Sequence, residues 1–172
     1  MKVREFERLV RESQDRLYGY AIHFLANREE AEDVVQDAYL RLWKNRRLIR
    51  PDGGLAWLIS VTRNLCMDKL RRRKVRSVVD VDSDRLAEHA GYDRGPDEHA
   101  ASVVFENLLQ SAMQTLPEVQ RSIVILREVT GLSYNEISEA LDLPLSTVKV
   151  YLHRGRRHLR RRLSTVIGSE AV

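Results

Sequence analysis

LSYNEISEALDLPLSTVKVYLHRGRRHLRRRL, residues Leu132–Leu163, decides the fold. Ser133 and Glu136 form an S-x-x-E capping box, which starts a helix at Tyr134. Ile137, Ala140 and Leu141 follow at helical spacing and give that helix one apolar face. Asp142-Leu143-Pro144 ends it, because proline lacks an interior N–H but fits the first turn of a following helix. The second helix turns Val148, Leu152 and Leu159 inward, and Lys149, His153, Arg154, Arg156 and Arg157 outward. Between Leu145 and Arg162 the chain carries seven Lys/Arg and no acid. A short helix, a sharp turn and a longer basic helix make a helix-turn-helix, whose second helix enters the DNA major groove. A helical hairpin with a solvated basic face is the competing reading. Capping, turn and charge segregation together favour the first.

Working outward, 172 residues with 43% apolar content suit one large or two small domains with packed cores. The net charge of +4 matters less than its distribution. Residues 1–76 hold 18 basic and 11 acidic side chains, residues 77–100 hold 2 and 7, and residues 101–172 hold 9 and 7. Two basic blocks therefore flank an acidic connector. Basic stripes bind polyanionic DNA through counterion release, independently of base sequence. The single cysteine, Cys66, can form neither an internal disulfide nor a cysteine-rich zinc site, and reads as a small buried hydrophobe. No stretch approaches the ~20 apolar residues of a membrane span, and no signal peptide is evident. A cytoplasmic chain is expected.

Upstream, Val3–Leu25 repeats apolar residues at three and four (Phe6, Leu9, Val10, Leu17, Tyr20, Ala21, Phe24), and Asn27 breaks the pattern. The next helix, about Arg28–Lys44, opens with acids where the helix dipole favours them. It buries Val34, Val35, Ala38, Tyr39 and Leu42. Trp43 fits either the core or an interface anchor. Arg46–Gly54 is a loop of turn residues. A third helix runs from Leu55 to about Arg76 and ends in Lys69-Leu70-Arg71-Arg72-Arg73-Lys74, a cationic run denser than a helix C-terminus requires.

Ser77–Ala100 lacks sustained period and reads as a linker, with room for one helical turn near Asp84–His89. Helical periodicity resumes over Ala101–Met113. Thr115-Leu116-Pro117-Glu118 looks like a second capping signature, opening a helix over Val119–Val129 that Thr130-Gly131 closes. Val166–Val172 reads as a frayed tail. No strand pattern occurs. The expected fold is all-α: two small helical domains, 1–76 and 102–165, joined by a flexible acidic linker, 77–101, with a tail at 166–172.

AEDVVQDAYLRLWKN (Ala31–Asn45), WLISVTRNLCMDKLRRRK (Trp57–Lys74) and LPEVQRSIVILREVTGLSYNEISEALDLPLSTVKVYLHRGRRHLRRRL (Leu116–Leu163) together resemble the bacterial sigma-70 family. The size and the missing middle domain are similar to its extracytoplasmic-function (ECF, group IV) members. The resemblance implies a sigma-2-like domain and a sigma-4-like domain. It implies a transcription initiation factor that binds core RNA polymerase through the β′ clamp helices and the β flap, recognises the −10 and −35 promoter elements and helps open the duplex. By position, Asp33, Gln36, Asp37, Leu40, Arg41 and Trp43 are its candidates for polymerase binding. Arg63, Asn64 and Asp68 occupy the −10-reading positions, with Lys69, Arg71, Arg72 and Arg73 as phosphate contacts. Asp68 has a second reading, as an intrahelical partner of Arg71 or Arg72. For the −35 element, Lys149, Val150, His153 and Arg154 are base-edge candidates, and Ser146, Thr147, Arg156 and Arg157 hold phosphates. Val150-Tyr151 stands where many members carry Ser-Arg. Gly155 in mid-helix costs about 0.5–1 kcal/mol relative to alanine, so it marks either a looser helix or a close approach.

Two other function classes compete with this reading. An enzyme would need a metal set, a phosphate loop or a nucleophile elbow, and His23, His89, His99, His153 and His158 show no ligand spacing. Neither catalysis nor a cofactor is expected. A stand-alone helix-turn-helix regulator would read a two-half-site operator as a dimer, and no dimerisation coil is evident. The family resemblance also implies control by an anti-sigma factor.

Overall fold

The computed structural model describes residues 1–79 and 99–169. The apolar repeat of the first segment forms one helix, α1 (Val3–Leu25), which buries Leu17, Tyr20, Ala21, Phe24 and Leu25. Ala26 takes a left-handed conformation (φ 53°) and donates its N–H to the Ile22 carbonyl at 2.8 Å, which ends the helix. Asn27 then caps α2 (Arg28–Asn45), its side-chain oxygen accepting the Glu30 N–H at 2.9 Å. α2 lays Ala31, Val34, Val35, Ala38 and Leu42 on α1, and α3 (Gly54–Val79) closes the bundle with Leu58, Ile59, Leu65 and Cys66. Burying a side chain such as Leu42 or Leu58 contributes about 1.5–3 kcal/mol.

The second unit comprises α4 (His99–Gln114), α5 (Glu118–Val124), a wide π turn (Ile125–Val129), α6 (Tyr134–Leu141) and α7 (Leu145–Ser169). It packs on the first unit, with α1 against α4, α5 and the π turn, and α3 against α6. Tyr20 and Ser122 share a buried hydrogen bond of 2.9 Å across this contact. No strand occurs among the described residues.

Several expectations are corrected. α3 continues three residues past Arg76 to Val79, α4 begins at His99, and α7 runs on through Ser169 into the expected tail. The helical turn expected near Asp84–His89 lies outside the described residues. Thr115 caps nothing downstream: its hydroxyl donates to the Ala112 carbonyl at 2.7 Å, and Pro117 starts α5 without a side-chain cap. The expected Val119–Val129 helix widens after Val124. There the Thr130 hydroxyl takes the Leu126 carbonyl at 2.7 Å, the acceptor its own N–H would use in an α-helix. That N–H reaches the Ile125 carbonyl instead, at 3.1 Å, and the turn becomes π. Gly131 (φ +71°) then supplies the left-handed exit.

Of the two readings of Gly155, close approach holds. A Cβ there would sit 2.6 Å from Val124 Cγ2, in the tight crossing of α5 and α7. Val124 is buried and stiff at χ1, so it cannot swing aside. Gly155→Ala is expected to lower stability by about 1–2 kcal/mol, the overpacking cost exceeding the helix-propensity gain. Urea unfolding followed by circular dichroism checks this, and an unchanged midpoint would contradict the crossing.

Candidate nucleic-acid and polymerase interfaces

The helix-turn-helix forms at the positions its sequence dictates. Ser133 Oγ accepts the Glu136 N–H at 3.2 Å, and the Glu136 carboxylate accepts the Ser133 N–H at 2.7 Å. Hydrogen bonds from the Ser133 hydroxyl and backbone hold the Glu136 carboxyl below the ordinary glutamate range. A depressed acid stabilises the fold above its unfolded pKa, so this cap weakens as pH falls through the folded value. Asp142 (φ 51°) turns the chain, and the Leu143 N–H donates to the Ser138 carbonyl at 3.0 Å. Pro144 precedes the second helix, whose first backbone bond runs from Val148 N–H to the Pro144 carbonyl at 3.1 Å.

Burial of Val148 and Leu152, and of Leu159 a turn and more further on, fixes the rotation of α7. Lys149, Val150, His153, Arg154 and Arg157 are thereby exposed, together with Ser146, while Thr147 is half-buried. Val150 keeps 46% of its surface, which makes it an apolar point in a cationic field. Arg156 differs from its neighbours. Its Nε and Nη2 both donate to Glu128 Oε1, at 2.9 and 2.5 Å, and this pairing raises its pKa further. It ties α7 to the π turn.

On the first unit, Asn64, Asp68, Arg71 and Arg72 are exposed along α3, and Arg63 and Lys69 are half-buried. Asp68 lies 3.5 Å from Arg71, one of the two intrahelical pairings its spacing allows. Lys69 Nζ donates to Asp33 Oδ2 at 3.0 Å, so a −10 candidate and a polymerase candidate share one ion pair. Arg73 Nη1 donates to the Leu25 carbonyl at 2.9 Å, and Nη2 bonds the Glu30 carboxylate. Its guanidinium is engaged at the α1–α2 corner rather than aimed at solvent.

Along α2, Gln36, Asp37, Leu40 and Arg41 are exposed, Leu40 to 52%. Trp43 is 38% exposed rather than in the core. Phe6 meets its ring edge-on at a centroid distance of 5.0 Å, and the Arg46 guanidinium lies 3.8 Å above it. Leu40 and Trp43 thus present a rigid apolar pair among charges, the composition of an interface anchor. Cys66 sits on the buried face of α3, where burial, chiefly, and the Glu30 charge push its thiol well up. Among the described residues no group of His, Cys, Asp and Glu is arranged to hold a metal.

Sequence reasoning missed Phe6 and Arg46 around Trp43, Glu128 against Arg156, and above all Arg121. Arg121 is buried, and donates to Gln114 Oε1 at 2.8 Å, to the carbonyls of Gln114 (2.9 Å) and Leu116 (3.3 Å), and to the Phe24 carbonyl of the other unit at 3.4 Å. An arginine two residues before the apolar run Ile123–Leu126 was the available signal.

Two independent DNA-compatible basic helices, borne on separate bundles, define the class, and comparison with known proteins agrees. The profile of sigma-70 region 2 matches residues 9–76, and that of sigma-70 region 4 matches residues 106–159. The chain is 34% identical over 157 residues to the ECF RNA polymerase sigma factor SigE of Mycolicibacterium smegmatis, covering 90% of this chain and 60% of that one. It is 31% identical over 144 residues to the ECF sigma factor EcfG of Rhodopseudomonas palustris, covering 83% and 76%. Among solved structures, the sigma factor RpoE of Bartonella quintana, in complex with the anti-sigma factor NepR, shares the fold with a TM-score of 0.70 and 22% identity, over 94% of this chain and 98% of that one. CnrH, in complex with the cytosolic domain of CnrY, does so with a TM-score of 0.69 and 23% identity, over 95% and 90%. The chain belongs to the sigma-70 family, among its ECF members.

Arg72 and Arg73 should separate cleanly. Arg73→Ala removes partners from a helix end and a carboxylate and should lower the urea midpoint, by about 1–3 kcal/mol in stability. Arg72→Ala, on an exposed residue, should leave the midpoint within about 0.5 kcal/mol. Equal midpoints would refute the structural role of Arg73. Cys66 should resist a thiol reagent at pH 8 in the folded protein and react at once in denaturant. Fast reaction under native conditions would contradict its burial.

Proposed function

We propose that this chain is a transcription initiation factor that binds core RNA polymerase and directs it to promoters through −10 and −35 elements. The observation that carries the reading is the exposed cationic half of α7, seated by a complete capping box, in one chain with a second helical bundle that bears its own cationic helix. One DNA-reading helix would make a simple regulator. Two on separate bundles fit a protein that contacts two promoter elements at once.

The division of labour follows the two bundles. Residues 1–76 form the unit for polymerase binding, −10 recognition and melting, and residues 102–165 the unit for −35 recognition. Lys149, Val150, His153 and Arg154 face base edges, while Ser146, Thr147 and Arg157 sit at phosphates. Arg156 can serve there only by leaving Glu128. On α3, Asn64 and Arg72 are exposed toward DNA, Arg71 and Asp68 meet it from their shared exposed pair, Lys69 from its pair with Asp33, and Arg63 from a half-buried position. Arg73 supports the corner behind them. Asp33, Gln36, Asp37, Leu40, Arg41 and Trp43 make the polymerase-facing side of α2.

The chain works as a non-catalytic factor in the cytoplasm, where its polymerase is. No helix among the described residues is long and apolar enough to cross a membrane. Control by an anti-sigma factor is supported by the similar solved folds, one of which is a complex with the anti-sigma factor NepR and the other a complex with the cytosolic domain of CnrY.

Run-off transcription with core polymerase and a genomic promoter pool tests the reading. Starts should appear only with this protein. Lys149→Ala with Arg154→Ala should reduce them at least ~30-fold on −35-dependent promoters, since each good base contact is worth about 1–3 kcal/mol. A dyad-symmetric footprint without polymerase, and no starts, would replace the reading with a stand-alone regulator.

A further inference from the structure

Lys149, Arg154, Arg156 and Arg157 are the exposed cations that the first half of α7 offers to DNA. Lys149, Arg154 and Arg157 have no carboxylate partner among the described residues. Arg156 has one, with Nε at 2.9 Å and Nη2 at 2.5 Å from a single oxygen of Glu128. Helix periodicity nonetheless puts Arg156 on the reading face. It follows Lys149 by seven residues and His153 by three, so the three share one stripe. It stands about 10 Å further along the axis than Lys149. A recognition helix meets base edges with its N-terminal residues, in a groove about 12 Å wide. A cation that far on reaches the rim of the groove, where the phosphates run.

Glu128 stands beside this position, in the π turn Ile125–Val129 that the Thr130 hydroxyl widens. Both side chains of the pair are nearly half exposed, and an ion pair this open adds little to stability. Nor does α7 need it for orientation, because buried Val148, Leu152 and Leu159 already fix the rotation of the helix. What the pair changes is the charge presented to DNA. Each cation that neutralises a phosphate releases counterions, strengthens binding to any duplex and steepens its salt dependence. A carboxylate bonded to that cation withholds one such contact. The base-edge candidates Lys149, Val150, His153 and Arg154 are left untouched by it.

We propose that Glu128 is a positioning residue for DNA binding: it holds Arg156 off the phosphate backbone and so limits the affinity of α7 for duplex of any sequence. This rests on α7 being a DNA-reading helix, as the initiation reading has it. Non-specific sites vastly outnumber promoters, so every sequence-independent contact diverts free chain onto bulk DNA. Withholding one keeps more of the chain available to polymerase, whose complex supplies further contacts at a promoter.

Fluorescence anisotropy of the full chain with a labelled duplex of mixed sequence, over a salt series, tests this. Glu128→Gln keeps the shape and removes the charge. It should bind severalfold more tightly at about 50 mM salt and steepen the slope of log K against log salt by about 0.9, the value of one phosphate contact. Glu7→Gln, on an exposed residue of the first bundle, changes the net charge equally and should leave the slope unchanged. Glu128→Gln with Arg156→Gln should return slope and affinity to those of the unmodified chain. A double variant shallower by about 0.9 than the unmodified chain would place Arg156 on a phosphate already and overturn the proposal. So would a Glu128→Gln chain that binds no better than Glu7→Gln, the result expected if Glu128 only braces α7. Run-off starts judge the initiation reading separately. Starts from the unmodified chain with unchanged slopes would remove the role of Glu128 alone, and the expected slopes without starts would remove initiation alone.

Discussion

The last four carbonyls of α1 are the constraint on which the rest of the structure depends. A helix end leaves these acceptors without intrahelical donors, and burying them unpaired costs about 1–3 kcal/mol each. Here each has a partner of different origin. Ile22 takes the N–H of Ala26, the residue that turns the chain. Leu25 takes Arg73 from the far end of α3. His23 and Phe24 take Gln110, Gln114 and Arg121 from the second unit. Two guanidinium groups at a helix C-terminus also complement its dipole. One helix end thus joins the corner of the first bundle to the face of the second.

Arg121 shows how such a junction is afforded. A buried cation is costly unless its donors are satisfied. Its burial is offset by the carbonyl that ends α4 and by those of Leu116 and Phe24, so one side chain serves two helix C-termini. Burial lowers its pKa, yet an arginine so placed keeps its charge. The Lys69–Asp33 pair shows a milder form of the same economy across the α2–α3 face.

Much of this was legible in the sequence because local rules and tertiary context agreed. Ser133 and Glu136 announced α6, Asn27 announced α2, and the spacing of Val148, Leu152 and Leu159 gave the rotation of α7. Local rules failed where a long-range partner competed. Thr115 had the right spacing for a cap, but its hydroxyl turned back on α4 and also meets His158 Nε2 at 2.8 Å. Thr130 looked like an ordinary helix end, but its hydroxyl took a backbone acceptor and widened the turn. Arg73 read as one more cation in a run, and only the fold distinguishes it from Arg72. At the candidate interfaces the residue types could be read from order and spacing, while the partners of Arg156, Lys69 and Trp43 come from helices distant in sequence.

The crossing of α5 and α7 has a consequence for how this chain can vary. Gly155 and Val124 occupy one shared volume, on two helices that carry different duties. A larger residue at 155 becomes acceptable only beside a smaller one at 124, so the two positions should drift together across lineages. That pairing would be visible as correlated change even though both positions are buried.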